Sequence, residues 1–244
     1  MIMNEETDWK IRTSLLLGEE KLKKLNDANI LIVGLGGVGA YAAEYLCRAG
    51  IGNFTIIDGD KVDPTNRNRQ LPALVSTTGK RKAEIVAARL RDINPEANIT
   101  SIDEFIRDER IPEILQSQPF DYVIDAIDSL SPKLHLILNC LELNLNLISS
   151  MGAGGKLDPA QVQVSDISKS YNCGLARALR KRLHRKGIYK GIRVVFSPEE
   201  RKSPAIQDKS EAVANTVVGT VSYMPSIFGC YCAAEVIKHF FNKL

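Results

Sequence analysis

From residue 29 onward, short β-branched runs alternate with longer segments whose apolar residues recur at helical spacing. That alternation marks successive βαβ units and a mainly parallel sheet. It predicts strands at 30–33, 54–57, 99–102, 122–124 and 147–149, with helices over 38–49, 79–93 and 132–143 between them. Ser131 is placed to cap the last of these helices, and Pro132 suits a first turn. Upstream, 18–28 reads as a charged amphipathic helix and 8–17 as an arm or helix lying on another surface. The second half is less regular, with strands at 161–165 and 193–196 and a helix over 174–186. A closing helix runs from about 227 to 242, where Ile227, Tyr231, Ala234, Ile237 and Phe241 recur at helical spacing. Before it, 197–215 is polar, contains Pro198 and Pro204, and reads as a mobile loop.

Composition narrows the class. With 244 residues, 44% hydrophobic and 25% charged, the chain is neither disordered nor a small disulfide scaffold. Its longest apolar runs, such as 30–33 and 85–88, fall far short of the roughly 20 residues a membrane helix needs. The first ten residues carry Glu5, Glu6 and Asp8 and no apolar stretch of signal-peptide length, so a cytoplasmic protein is expected. Five cysteines, Cys47, Cys140, Cys173, Cys230 and Cys232, argue against a disulfide framework.

The candidate chemistry begins at Gly34-Leu35-Gly36-Gly37-Val38-Gly39, which follows an apolar strand directly and opens a helix. In that context glycines let backbone amides approach phosphate, and the helix N-terminus adds partial positive charge. Asp58, at the end of the next strand, stands where an acid takes ribose hydroxyls. Asn66, Arg69 and Lys82 follow soon after, a set of cationic and amide donors suited to holding β and γ phosphates as pyrophosphate leaves. That set favours a triphosphate over the dinucleotide of a dehydrogenase. Asp125-Ala126-Ile127-Asp128-Ser129 then ends the fourth strand and places acids at the carboxyl edge, where open α/β sheets bind ligands. Asp128 is the expected Mg²⁺ ligand, and Asp125 reads as structural.

These residues together resemble the ubiquitin-activating-enzyme-like (ThiF/MoeB/HesA-type) adenylating enzymes: the glycine loop, Asp58-Gly59-Asp60, Asn66-Arg67-Asn68-Arg69-Gln70, Lys82 and Asp128. The resemblance implies that Asp58 binds ribose, that Gly34, Gly36, Gly37, Gly39, Asn66, Arg69 and Lys82 hold ATP phosphates, and that Asp128 coordinates magnesium. It also implies a homodimer, with Arg12 of Ile11-Arg12-Thr13 reaching into the neighbouring subunit's site. The expected fold is therefore α/β, a Rossmann-like mainly parallel sheet with helices on both faces, extended in the second half by additional strands and a basic helix. A single adenylating domain is expected over 1–244, with an N-terminal arm and helix (1–28), a nucleotide-binding core (29–150) and a substrate-binding part (151–244).

Such enzymes divide by the carboxylate they adenylate. Members that activate sulfur-carrier proteins commonly hold zinc with two CxxC pairs, which this chain lacks; Cys230-Tyr231-Cys232 on a helix reads as small hydrophobes. Charge is more informative. Lys169, Arg177, Arg180, Lys181, Arg182, Arg185, Lys186, Lys190 and Arg193 occur with no acid between Ser168 and Glu199. A solvated helix would interleave acids. An acidic carrier protein could use such a face, but a phosphate-covered partner gains most, and Arg177, Arg180, Lys181, Arg182, Arg185 and Lys186 are the expected nucleic-acid contacts.

Residues 151–159, Asp166-Ile167-Ser168-Lys169, Leu175-Ala176-Arg177, Leu179-Arg180, Arg12-Thr13 and Asn94-Pro95 are similar to the tRNA threonylcarbamoyladenosine dehydratases. That resemblance implies ATP-dependent cyclisation of threonylcarbamoyladenosine beside the anticodon of tRNA. Activation of a ubiquitin-like sulfur carrier, with a sulfur-relay partner, is the rival enzyme reading, and a nucleotide-regulated binding module without turnover is the non-enzymatic one. Gly152, Gly154 and Gly155 read equally as a second loop near the nucleotide or a bend after the fifth strand.

Overall fold

The computed structural model describes residues 9–200, 206–207 and 217–241. In chain order these form α1 (Ile11–Leu17), α2 (Glu19–Asp27), β1 (Asn29–Val33), α3 (Gly39–Ala49), β2 (Asn53–Ile57), α4 (Lys82–Ile93), β3 (Asn98–Ile102), α5 (Arg110–Gln116), β4 (Tyr122–Asp125), α6 (Leu130–Glu142) and β5 (Leu147–Ser150). There follow β6 (Gln163–Asp166), α7 (Gly174–His184), β7 (Arg193–Phe196), β8 (Ile206–Gln207), β9 (Val217–Val218) and α8 (Tyr223–Phe241).

Seven strands make one sheet in the order β3-β2-β1-β4-β5-β7-β6, with β8 and β9 paired separately. All neighbours in the large sheet are parallel except β6, which runs antiparallel to β7. Strand alternation sorts the core between two faces. Ile30, Ile32, Phe54, Ile56 and Ile124 pack with α3, α4 and α8, while Leu31, Val33, Ile57 and Val123 pack with α5 and α6. A third cluster joins α6 to α7 through Ile137, Ala176, Leu179 and Leu183, so the basic helix is docked by one apolar stripe. Strand order reverses where β1 sits between β2 and β4. The crevice at the carboxyl ends there is where such sheets bind ligands.

Several boundaries differ from expectation. The 79–93 helix begins only at Lys82, because Gly79 adopts φ 82° and closes a turn. The helix expected over 132–143 begins at Leu130, so Ser129 rather than Ser131 is the N-cap, and no side chain bonds the cap amides. Pro132 still falls in the first turn, where amides lack intrahelical partners. Gln161 belongs to a 3₁₀ turn before β6. The basic helix stops at His184, ahead of left-handed Gly187. The last helix starts four residues early, at Tyr223, with Pro225 tolerated in its first turn. The short helix α5 was not expected. Of the 197–215 loop, residues 201–205 and 208–215 lie outside the described residues. Among the described residues no helix is long and apolar enough to cross a membrane.

Candidate active site

The glycine loop leaves β1 and turns into α3 at the strand-order switch. Gly34 takes φ 90°, and a Cβ there would stand 2.8 Å from the Ala126 carbonyl oxygen. A Cβ on Gly39 would lie 1.8 Å from the Gly34 oxygen, and one on Gly37 2.8 Å from Pro225 Cβ of α8. Gly36 is different. The nearest atom to its Cβ position is Gln70 Nε2 at 3.6 Å, an ordinary van der Waals contact with the end of a flexible side chain.

Asp58 shapes this loop. Its carboxylate accepts the Leu35 amide at 2.6 Å and the Asp60 amide at 2.8 Å. Burial pushes its pKa up, opposed by Lys82 and the two amides. Each carboxylate oxygen keeps a second acceptor direction for a hydroxyl. Lys82, buried at the start of α4, pairs with Asp60 at 2.7 Å. The 66–70 segment lies across the loop, since the Arg69 carbonyl oxygen is 3.2 Å from the Gly37 Cβ position. There Arg69 Nη1 donates to Thr65 O at 3.0 Å and to Asn68 Oδ1 at 2.8 Å. Asn66 accepts the Asp63 amide at 3.2 Å, which fixes the turn that carries it. Gln70 Oε1, on the side-chain amide nearest Gly36, is buried with no hydrogen-bond partner among the described residues.

Asp128 stands three residues beyond the end of β4 and not on the strand. It is exposed and makes no hydrogen bond or ion pair with another described residue. Asp125, by contrast, is fully buried and paired with Lys133 at 2.7 Å. Lys133 was missed in the sequence. Its signal is a lysine among the apolar positions of α6. Phe105, exposed and packed over Gly59, was also missed, and only the third dimension places it at this edge. Gly154 and Gly155 pack on β9 and Gly219, so the chain after β5 is held by the segment before α8.

The structure separates the basic residues into two groups. Arg180 donates to Ser170 O at 2.7 Å and also to Ser170 Oγ, and Arg193 pairs with Glu235. Arg177, Lys181, Arg182, Arg185, Lys186 and Lys190 are exposed and have no such partner among the described residues. Arg12 does not join the site within one chain. It lies on α1, which is anchored by Lys10 beside Gly50 and Glu96 at the amino edge of the sheet, opposite the glycine loop. A cavity of about 560 Å³ also opens at that amino edge, between Asn146, Arg193, Glu235 and Lys238, and none of the expected site residues lines it.

The buried thiols are poorly suited to catalysis. Burial pushes Cys47 up to about 11 and Cys140 up to about 12. Cys232 and Cys173 are buried, and Cys230 is exposed on α8.

A family model for the ThiF family matches residues 9–243. A tRNA threonylcarbamoyladenosine dehydratase from Bacillus subtilis is 38% identical over 234 residues, covering 93% of this chain and 92% of that protein. The crystal structure of E. coli tRNA N6-threonylcarbamoyladenosine dehydratase, TcdA, in complex with ATP matches with a TM-score of 0.86 at 39% identity, covering 96% of each chain. Its complex with AMP gives a TM-score of 0.87 at 38% identity. With matches that run nearly end to end, the chain belongs to the ThiF family and, within it, to the tRNA threonylcarbamoyladenosine dehydratases.

Proposed function

We propose that this chain is an ATP-dependent enzyme that cyclises threonylcarbamoyladenosine in tRNA through an acyl adenylate, releasing pyrophosphate and then AMP. The observation that carries this reading is the glycine loop at the strand-order switch, with the 66–70 segment across it, Asp58 on its Leu35 amide, the Lys82–Asp60 pair beside Asp58, and the loop that bears Asp128 packed on Gly34 and Gly39 through Ala126. Asp58 would accept the ribose hydroxyls, while Asn66, Arg69 and Lys82 face the β and γ phosphates. The threonyl carboxylate attacks the α-phosphorus, and the bond to pyrophosphate breaks as Arg69 and Lys82 take up its charge. The carbamoyl group then attacks the activated carbonyl in the same molecule, and AMP departs with closure of a five-membered ring and loss of a proton. Proximity drives this second step without an enzyme thiol.

The residues present suit a magnesium ion. Asp128 offers an exposed carboxylate with no partner among the described residues, and Mg²⁺ is ordinarily held by one or two carboxylates with phosphates completing its shell. When bound it would neutralise charge on the departing pyrophosphate.

The exposed cations of α7 and of the turn that follows it are read as the tRNA contact. Replacing Arg177, Lys181, Arg182, Arg185 and Lys186 together by alanine should lower tRNA affinity and flatten its salt dependence, by about 0.7–0.9 slope units for each phosphate no longer neutralised. Arg180→Ala should instead lower thermal stability with little change in slope, because its guanidinium is spent on Ser170. Equal salt slopes for the fivefold variant and wild type would remove α7 from the interface.

A homodimer completes the site in this account. Ile11, Leu15 and Leu16 of α1 are exposed around Arg12, the two leucines at 81% and 82%, an apolar face suited to a second copy. Arg12→Ala and Asp128→Ala homodimers should both be inactive, whereas mixing them should restore activity in heterodimers that carry one intact site. No recovery in verified heterodimers would argue against a shared site.

The proposed reaction is tested by AMP release. It should require tRNA bearing threonylcarbamoyladenosine and be absent with tRNA lacking it. AMP formation that depends on a small carrier protein instead would reassign the substrate.

A further inference from the structure

Asp125, Lys133 and Ser149 form a fully buried polar triad beneath the proposed ATP site. Asp125 Oδ2 accepts Lys133 Nζ at 2.7 Å and Ser149 Oγ at 2.6 Å, and Lys133 Nζ also reaches Ser149 Oγ at 3.1 Å. Both charged side chains are 0% exposed. Stability alone gives little reason for the arrangement. Desolvation of a buried pair commonly cancels its attraction, so apolar side chains of similar size would serve as well. Lys133 moreover sits near the start of α6, where the helix dipole disfavours a cation.

The remaining contacts of the triad point upward to the loop between β4 and α6. Asp125 Oδ1 accepts the Ile127 amide at 3.1 Å. The Ala126 amide bonds Val33 O at 2.9 Å, at the mouth of the glycine loop. Ala126 also packs on both ends of that loop: its carbonyl oxygen is 2.8 Å from the Gly34 Cβ position and its Cβ is 3.1 Å from that of Gly39. Two residues further comes Asp128. The loop is therefore gripped at its start by Asp125 and tied to α6 through Lys133, with β5 held by Ser149.

We infer that Lys133, with Asp125 and Ser149, is a positioning residue that holds Asp128 and the glycine loop in one fixed relation, so that ATP and its metal ion meet a preformed site. The inference rests on the proposed ATP reading and adds to it residues that touch neither phosphate nor metal. Sites held this way owe their precision to the groups that lock them.

The test measures ATP affinity by calorimetry, with Mg²⁺ and with EDTA, in wild type, Asp128→Ala, Asp125→Asn/Lys133→Met and the triple variant. The double variant replaces the pair without leaving a buried charge alone. It should melt close to wild type yet bind MgATP at least tenfold more weakly, and adding Asp128→Ala should cost little more, because both changes remove the same interaction. Wild-type MgATP affinity in the double variant, or losses that simply multiply, would overturn the inference. If Asp128→Ala alone binds MgATP normally, the metal assignment fails. The EDTA arm then decides the triad's role, with a loss expected through Ala126 and unchanged affinity overturning it. Should the double variant not fold, Ser149→Ala, which keeps the ion pair, is expected to weaken ATP severalfold, and unchanged affinity there would equally overturn the inference.

Discussion

Asp128→Ala should lower the rate of pyrophosphate release at least a hundredfold while leaving the fold intact. The side chain is exposed and unpartnered among the described residues, so its removal breaks no internal bond and creates no cavity. What disappears is charge stabilisation at the departing phosphates, for which removal of one preorganised group typically costs about 10²–10³ in rate. Arg69→Ala should act on the same step with similar size. Only one of its nitrogens is used locally, at Thr65 and Asn68, which leaves the rest of the guanidinium for phosphate. Lysine should not substitute, because a point charge does not reproduce the planar donor fork. Pyrophosphate release at the wild-type rate in either variant would remove that residue from the site.

Two alanine substitutions three residues apart should give opposite phenotypes. Gly39→Ala would put a Cβ 1.8 Å from Gly34 O. Gly34 is held in place by its own amide, which donates to Ile57 O at 2.8 Å. Strain of about 3 kcal/mol or more follows, which for a chain of this size lowers the melting temperature by roughly 6–12 °C. Gly36→Ala meets nothing closer than 3.6 Å and should melt with wild type. Its methyl would nevertheless occupy the space through which backbone amides approach phosphate, so ATP affinity should fall at least tenfold. Thermal melts and ATP titrations on the two proteins separate these outcomes. A Gly36→Ala protein that binds ATP normally would move the phosphates away from the loop.

The difference between these glycines was invisible in the sequence, although the motif was plain. Strand, glycine loop and helix are contiguous, so their place at the strand-order switch reads directly from order and spacing, as does that of Asp58 and the 66–70 segment. Residues whose roles depend on partners distant along the chain were harder to read. Charge pattern placed Arg180 with its neighbours on α7, but periodicity cannot reveal that its guanidinium turns back to Ser170. Arg193 stood in a run without local acids, yet Glu235 reaches it from α8. Lys133 was hidden because a lysine near a helix start reads as solvated until β4 brings Asp125 against it. The short helix α5 offers too few turns for its Ile111, Ile114 and Leu115 to stand out as a period.

Cyclisation removes one water from the modified nucleoside, and the most direct measurement follows that loss. Purified protein is mixed with MgATP and tRNA carrying threonylcarbamoyladenosine, the RNA is digested, and the nucleosides are weighed by mass spectrometry. A nucleoside lighter by one water is expected, forming only with ATP and failing to form with the Asp128→Ala protein. An unchanged nucleoside with no ATP consumed, under conditions where the protein is folded and the tRNA is bound, would contradict the proposed reaction.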